Sequence, residues 1–128
     1  MKITMCGSTR FKDEWVKYNW ELSCVGHVVY AVSGIRHMTD NDAPTPEQKE
    51  SLDLVHLVKV LHSEAIFVLD VGGYIGDSTR REIILATMLN KFVYYLSNEA
   101  HVKYLLKRRE PTSGQGPIAF VQRENYDT

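Results

Sequence analysis

Along this chain, short continuous runs of apolar residues alternate with longer stretches in which apolar residues recur at every third or fourth position. A short run bounded by glycine or polar residues is typical of a strand buried in a parallel sheet, whereas the wider spacing is typical of an amphipathic helix. The runs at residues 65–69 and 92–96 are apolar throughout, which predicts strands with both faces buried. We predict strands at residues 2–6, 27–32, 65–69 and 92–96 and helices at residues 11–25, 46–62, 83–89 and 100–109.

Short polar signals mark where these helices begin and end. Ser8 or Thr9 is predicted to cap the first helix, and Gly26 is predicted to end it. Thr45 followed by Pro46 is typical of a capped helix start with proline in the first turn. These signals agree with the hydrophobic pattern, so the predicted boundaries rest on two kinds of observation.

A strand is followed by a helix four times, and most connections are short. Because crossover connections between parallel strands are right-handed, this order predicts a three-layer, doubly wound, mainly parallel α/β sheet with the flavodoxin-like strand order 2-1-3-4. Residues 1–110 are predicted to form this single domain. Residues 111–128 are a C-terminal tail, in which residues 118–121 form either a last edge strand or a contact with a partner subunit.

Composition and charge narrow the range of functions. The chain has 128 residues, of which 44% are hydrophobic, and a net charge of -1, as expected for one ordinary soluble domain. A near-neutral chain lacks the positive field that phosphate backbones require, which argues against a nucleic-acid polymer as the main partner. No apolar run reaches the ~20 residues that span a bilayer, so no membrane partner is expected.

Cysteine and histidine positions bear on compartment and metal binding. Cys6 in a predicted strand and Cys24 in a predicted helix are expected to be reduced and buried, which indicates a cytoplasmic protein. No histidine stands at a zinc-binding spacing from a cysteine or another histidine, and His56 and His62 lie on different faces of their helix. We therefore predict no metal site.

The loop after the first strand combines a glycine, two hydroxyl groups and an arginine: Gly7, Ser8, Thr9 and Arg10. Free backbone N–H groups and the helix dipole at a helix N-terminus both favour an anion. This loop is therefore a candidate anion site, with plain capping beside a surface arginine as the alternative. In the long polar connection at residues 33–44, Arg36 and His37 either face a ligand or are ordinary solvated loop residues.

The segment after the third strand carries the strongest chemical signal. It begins with Asp70, continues through Gly72 and Gly73, and reaches Asp77 and Glu82. A pair of carboxylates is the usual apparatus for cleaving a bond at the anomeric carbon of a sugar: one attacks or stabilises the carbon, and the other handles the proton of the leaving group. Because ligands of open α/β sheets bind beyond the carboxyl ends of the strands, this segment and the loop after the first strand are expected to face each other across the switch point.

Structural explanations compete with this interpretation at each carboxylate. Thr79 and Glu82 are spaced as a capping box, in which the glutamate returns to the backbone of the cap, and Asp77 and Ser78 are equally good caps. Asp70 at a strand end can simply pin the glycine turn. The catalytic interpretation requires the Glu82 carboxylate to face open space at the mouth of the crevice, where the helix dipole keeps it ionised and suited to a nucleophile.

Three motifs resemble the nucleoside 2-deoxyribosyltransferase superfamily, especially its small branch of 2′-deoxynucleoside 5′-monophosphate N-glycosidases. Residues 5–10 (Met-Cys-Gly-Ser-Thr-Arg) are similar to the Cys-Gly-Ser-x-Arg signature of the first strand. Residues 63–70 resemble the strand that ends in an active-site aspartate. Residues 77–83, followed by residues 90–93, resemble the Asp-x-Gly-Thr-x-x-Glu motif and the Gly-Lys-Pro-Val segment after it. The glycine turn with Thr-x-x-Glu also resembles the lysine decarboxylase-like phosphoribohydrolases, which cleave the same kind of bond.

The resemblance implies an enzyme that cleaves, or transfers at, the N-glycosidic bond of a deoxynucleoside 5′-monophosphate or nucleoside without cofactor or metal. Glu82 would form a covalent glycosyl-enzyme, Asp70 and Asp77 would be further catalytic carboxylates, and the protein would be a homodimer. A non-catalytic nucleotide-binding module of the same fold is the alternative, and a flavodoxin-like interaction protein without a small ligand is a third hypothesis. The expected substrate-binding residues are Gly7, Ser8, Thr9, Arg10, Gly72, Gly73, Ser78 and Thr79.

Overall fold

The computed structural model of the chain describes residues 1–33 and 43–108. Four parallel strands form one sheet in the order β2-β1-β3-β4, which confirms the predicted α/β, flavodoxin-like fold. The strands are β1 (Lys2–Cys6), β2 (Val28–Tyr30), β3 (Ala65–Val68) and β4 (Phe92–Tyr95). The α-helices are α1 (Lys12–Cys24), α2 (Pro46–Leu61), α3 (Asp77–Met88) and α4 (Glu99–Leu105).

Helices cover both faces of the sheet, as the doubly wound arrangement requires. One face carries Ile3 and Phe67 and packs against α1 and α4. The opposite face carries Cys6 and Ile66 and packs against α2 and α3. Because successive residues of a strand point to opposite sides, the central strands β1 and β3 supply side chains to both cores.

The strands β3 and β4 differ in burial, although both runs are apolar. Every residue of β3 is buried, because β1 and β4 pair with its two edges and helices cover both faces. Among the described strands β4 is paired on one side only, Phe92 is 62% exposed, and the other three residues are half-buried. The prediction that both strands are buried on both faces is therefore confirmed for β3 and wrong for β4.

The start of α1 also differs from the prediction. Phe11 is the N-cap, and no side chain, of Ser8, Thr9 or any other residue, caps the helix. A tight turn precedes the helix instead: the Phe11 N–H donates to the Ser8 carbonyl at 3.2 Å, and the Trp15 indole N–H donates to the same oxygen at 3.0 Å. Ser8 thus supports α1 through its backbone oxygen, because the turn displaces its hydroxyl from the capping position.

Two other boundary signals are confirmed. Gly26 follows α1 with a φ of 104°, a conformation that favours glycine over residues with a side chain. The Thr45 hydroxyl accepts the Gln48 N–H at 3.1 Å, and the Gln48 side chain accepts the Thr45 N–H at 2.9 Å. With Pro46 in the first turn, this capping box begins α2 as the sequence predicts.

Some predictions fall outside the described residues. They are the edge strand or subunit contact at residues 118–121, the domain boundary at residue 110, and the ligand-facing roles of Arg36 and His37. Within residues 1–33 and 43–108, no helix has the length and apolar character needed to cross a bilayer.

Removing the Phe67 ring should destabilise the domain strongly. Phe67 is 1% exposed and meets Tyr18 edge-on with 5.5 Å between ring centroids. We expect Phe67→Ala to lower the free energy of unfolding by about 3–5 kcal/mol, because it leaves a cavity against the sheet. Val16→Ala is the control: Val16 is 66% exposed, so its truncation should change stability by less than ~0.5 kcal/mol. Urea denaturation followed by circular dichroism measures both, and equal effects would contradict the assigned core.

Candidate functional site

The carboxyl ends of β1 and β3 lie side by side at the centre of the sheet. Their pairing continues beyond the strands, since the Leu69 N–H donates to the Cys6 carbonyl at 2.8 Å. Gly7 then passes so close that a Cβ at this position would lie 2.9 Å from Leu69 Cβ and 3.3 Å from the Leu69 carbonyl oxygen. The glycine thereby brings the loop after β1 against the end of β3, and Ser8 and Thr9, which follow it, are half-buried.

The loops that leave β1 and β3 contact each other through Arg10 and Tyr74. The Arg10 guanidinium carbon lies 4.1 Å from the centroid of the Tyr74 ring, and an Arg10 N–H donates to the Tyr74 hydroxyl at 3.3 Å. The Phe11 ring packs edge-on against the same tyrosine. This contact confirms that the two segments face each other across the switch point. Both side chains are exposed, so the Arg10–Tyr74 pair forms the rim of the crevice.

The glycine turn after β3 has a shape that glycine adopts far more readily than other residues. Residues Val71–Gly73 form a short 3-10 turn in which Gly72 and Gly73 have φ values of 61° and 82°. The Gly73 N–H donates to the Asp70 carbonyl at 2.9 Å. Both glycines are exposed, so the turn presents its backbone at the rim.

Asp70 is buried, and both of its carboxylate oxygens have partners. Oδ1 accepts the Ser97 N–H at 2.9 Å, and Oδ2 accepts the Ser97 hydroxyl at 2.6 Å. Ser97 follows β4, so the aspartate ties the end of β3 to the end of β4. The side chain therefore pins the loop after β4, whereas the Asp70 carbonyl holds the glycine turn.

Glu82 lies against the sheet and is 6% exposed. Because α3 begins at Asp77, residue 82 falls in the second turn, on the buried helix face that also carries Thr79 and Ala86. The expectation that its carboxylate faces open space at the mouth of the crevice is therefore wrong. The capping-box alternative is also wrong, because Gly76 is the N-cap of α3 and no side chain caps this helix.

Two side chains from other elements meet Glu82 in its buried position. Cys6 comes from the end of β1 and His56 from α2, and the candidate ligand atoms of all three residues lie within 4.8 Å of one another. The His56 Nε2–H donates to the Met5 carbonyl at 2.9 Å, and the same nitrogen lies 4.0 Å from Glu82 Oε1. We call Cys6, His56 and Glu82 the inner cluster. Within the described residues, it is the group of side chains that could hold a metal ion.

Burial determines the protonation of the inner cluster. It raises the pKa of Glu82 from 4.5 to about 7, although a hydrogen bond from the Cys6 thiol opposes the rise. It lowers the pKa of His56 from 6.5 to about 4, and it raises the pKa of the Cys6 thiol, with the Glu82 charge adding to that rise. The expectation that the helix dipole keeps Glu82 ionised is thus not met, because residue 82 lies beyond the first turn, where the dipole acts, and desolvation dominates.

The remaining predicted site residues stand at the start of α3. Asp77 is exposed, Ser78 accepts a hydrogen bond from the Arg81 guanidinium at 3.3 Å, and Thr79 is 4% exposed and faces inward. Glu82 does not line the open depression beside them, so this depression and the inner cluster are separate. The depression has a volume of about 380 Å³ and is lined by Gly73, Ile75, Arg80, Ile83, Ile84 and Tyr95.

The sequence reasoning missed His56, Tyr74 and Ser97. The prediction of no metal site rested on spacing along the chain, which does not test ligands that come from separate elements. One signal was available for His56, since it stands four residues before Val60 on the buried face of α2. No comparable signal marks Tyr74 or Ser97, because their contacts depend on which loops the sheet brings together.

Comparison with known proteins does not extend this description. No protein-family model, no curated protein and no solved structure matches this chain. The relation to nucleoside 2-deoxyribosyltransferases therefore rests on the motifs quoted above and remains a hypothesis.

The raised pKa of Glu82 predicts a stability difference that depends on pH. The folded protein holds this proton more tightly than the unfolded chain, so the associated stability is complete below the ordinary pKa of 4.5 and is lost as the pH rises through about 7. Glu82→Gln has no proton to lose at this position. We therefore expect its free energy of unfolding, taken relative to that of the unsubstituted protein, to be about 2 kcal/mol higher at pH 8 than at pH 5. Urea denaturation with a chelator present measures this gain.

The matched control is Glu64→Gln, since the Glu64 side chain is exposed. Its stability relative to the unsubstituted protein should not change over the same pH range. If the free energies of unfolding of Glu82→Gln and the unsubstituted protein differed by the same amount at pH 5 and at pH 8, Glu82 would not be a buried carboxyl group that is protonated at acidic pH.

Proposed function

We propose that this protein cleaves, or transfers at, the N-glycosidic bond of a deoxynucleoside 5′-monophosphate or nucleoside. The observation that carries the proposal is the buried carboxyl group of Glu82, whose pKa is raised to about 7 beside the central strands, where the strand order reverses. Strongly perturbed carboxyl groups concentrate at catalytic sites, and glycosidic cleavage depends on carboxyl groups. The motif resemblance points to the same bond.

In the proposed reaction the ionised form of Glu82 attacks the anomeric carbon of the sugar. The bond from that carbon to the base breaks, and the base leaves with the electron pair and takes up a proton. Water, or a second base, then displaces the carboxylate from the glycosyl-enzyme. Glu82 is 6% exposed, so the described conformation does not present the open carboxylate that catalysis requires. The proposal therefore requires substrate binding to open a path between the crevice and this carboxylate.

The rim supports a phosphorylated substrate. Arg10 is exposed and uses one N–H for the Tyr74 hydroxyl, so its remaining guanidinium N–H groups are available to phosphate oxygens. Ser8 stands at the same loop and Ser78 at the start of α3. We therefore favour the monophosphate over the free nucleoside, which has no anion for this loop to bind.

One observation favours a second candidate function. The burial of Glu82 would suit a non-catalytic nucleotide-binding module, in which the rim binds the nucleotide and the glutamate is a structural residue. Such a module binds nucleotides without turnover, so the two candidates differ in a measurable product.

We also propose that two copies of the chain pair through α2. Leu54, Val58 and Leu61 are 58%, 49% and 48% exposed, and their spacing of four and three residues places them in one stripe on the outer face of this helix. An exposed apolar stripe of this kind typically marks a protein interface. We call these three residues the α2 stripe.

The charges at the ends of the α2 stripe favour an antiparallel pair of identical helices. Glu47 and Glu50 precede Leu54 by seven and four residues, which places them in line with the stripe at its N-terminal end. At the other end, the Lys91 amino group bonds to the Leu61 carbonyl at 3.1 Å. A two-fold axis through the stripe brings the acidic end of one copy towards the basic end of the other.

We propose a cytoplasmic location because both cysteines are free thiols. Cys6 is buried and Cys24 is exposed, and both are free thiols. The prediction that both thiols are buried is wrong for Cys24, which ends α1. Free thiols persist in the reducing cytoplasm, which supports this location.

Free base should be released from at least one member of a panel of deoxynucleosides and their 5′-monophosphates, detected by liquid chromatography. Glu82→Gln should reduce that release by about 100-fold or more, because the attacking carboxylate is gone, while Glu64→Gln should leave it unchanged. Mass spectrometry of the quenched reaction should detect a deoxyribosyl adduct on Glu82. Nucleotide binding without base release across the panel would support the non-catalytic module instead, and full activity in a folded Glu82→Gln would refute the role of this residue.

Val58→Glu should convert the protein from a dimer to a monomer, since it places a charge at the centre of the α2 stripe. Size-exclusion chromatography with light scattering measures the mass. Val16→Glu is the control, because Val16 is also exposed but lies on α1, against the opposite face of the sheet. A monomeric unsubstituted protein, or a Val58→Glu variant that remains dimeric, would contradict pairing through α2.

A further inference from the structure

The inner cluster contains three of the side-chain types that bind zinc: a thiol, an imidazole and a carboxyl group. Cys6, His56 and Glu82 come from β1, α2 and α3, and they converge although they are far apart along the chain. Each residue is buried, and the side chains of His56 and Glu82 are each 8% exposed. His56 donates to the Met5 carbonyl at 2.9 Å and the Cys6 thiol donates to the Thr4 carbonyl at 3.8 Å, and the candidate ligand atoms of both residues also lie within 4.8 Å of that of Glu82.

We propose that Cys6, His56 and Glu82 form a three-ligand site for Zn²⁺, with a fourth position left for water. The candidate ligand atoms lie within 4.8 Å of one another. Tetrahedral zinc with bonds of about 2.0–2.3 Å holds its ligand atoms roughly 3.3–3.8 Å apart. From the upper limit of 4.8 Å, the ligand atoms therefore need to approach one another by about 1.0–1.5 Å when the ion binds.

Charge balance favours a divalent cation at this position. A thiolate and a carboxylate together carry two negative charges, a neutral imidazole carries none, and Zn²⁺ cancels the sum. A buried site tolerates charge when it is paired in this way, whereas two uncompensated anions would be strongly disfavoured. The sulfur ligand selects a thiophilic ion such as Zn²⁺ over Mg²⁺ or Ca²⁺, which prefer oxygen ligands only.

His56 has an unused nitrogen. Its Nε2–H donates to the Met5 carbonyl, and its Nδ1 is buried with no hydrogen-bond partner in the part of the chain that the structure describes. Metal-binding histidines commonly ligate through one nitrogen while the other donates to a backbone carbonyl. The two ring nitrogens point away from each other, and Nε2 is the one that lies 4.0 Å from Glu82 Oε1. Turning Nδ1 towards Glu82 carries Nε2 away from the Met5 carbonyl, so ligation through either nitrogen gives up the Met5 bond.

Occupation of this site has a consequence for the proposed function. A Glu82 carboxylate that is bound to Zn²⁺ is not free to attack a sugar, so the cation should inhibit base release and a chelator should restore it. This consequence rests on the proposed function. The site itself does not, and metal binding measured without any substrate tests it separately.

The experiment uses the full chain after treatment with a chelator, and Co²⁺ as a spectroscopic substitute for Zn²⁺. We expect one equivalent of Co²⁺ to produce a thiolate-to-cobalt charge-transfer band together with the visible bands of tetrahedral cobalt, and Zn²⁺ to abolish both. Loss of an outer-shell partner typically weakens metal binding by 10- to 100-fold, so Cys6→Ser, which removes a ligand, should weaken it by at least roughly 100-fold and remove the charge-transfer band.

Cys24→Ser is the matched control, because Cys24 is the second free thiol and is exposed on α1. It should leave the Co²⁺ spectrum unchanged. A band that survives in Cys6→Ser but disappears in Cys24→Ser, or the absence of stoichiometric Co²⁺ binding by the unsubstituted protein, would overturn the proposal. If Cys6→Ser does not fold, Glu82→Gln and His56→Gln decide the matter, since each should lose the tetrahedral spectrum while the circular dichroism signal is kept.

Discussion

The parallel pairing of β1 with β3 is the constraint on which the other features depend. It runs from Ile3 opposite Ala65 to Cys6 opposite Val68 and continues into the bond between the Leu69 N–H and the Cys6 carbonyl. Because both strands are internal, the last residues of each strand are buried between neighbouring strands and the covering helices, whereas the loops that follow form an exposed rim. The same pairing brings the Arg10–Tyr74 rim together and places Cys6 beneath α3.

Burial at this point works against the ionisation on which acid–base chemistry depends. A carboxyl group, a thiol and an imidazole in the inner cluster are all driven towards their neutral forms, because the charged form of each loses its hydration. Apolar side chains of similar volume would avoid this unfavourable desolvation. The glycosyl-transfer and zinc proposals assign this cluster two roles that cannot operate at Glu82 at the same time.

Asp70 and Glu82 illustrate why two carboxylates in one motif need not form one pair. Asp70 is bound by the backbone and hydroxyl of Ser97, next to β4, whereas Glu82 lies beside Cys6, at β1. A catalytic arrangement that uses both must accommodate a substrate between different strands. The exposed glycine turn and Arg10 are the parts of the rim that such a substrate would meet first.

The sequence by itself determined the strand order, the helix start at Thr45 and the meeting of the loops after β1 and β3, because these follow from local hydrophobic spacing, local hydrogen bonds and the handedness of crossovers. Only the tertiary structure decided the direction of Glu82. The helix begins after Gly76, which places Glu82 in the second turn, and the face that it shares with Thr79 and Ala86 is the one that packs against the sheet. The inner cluster and the exposure of Phe92 are likewise set by packing between distant segments, which no local pattern encodes.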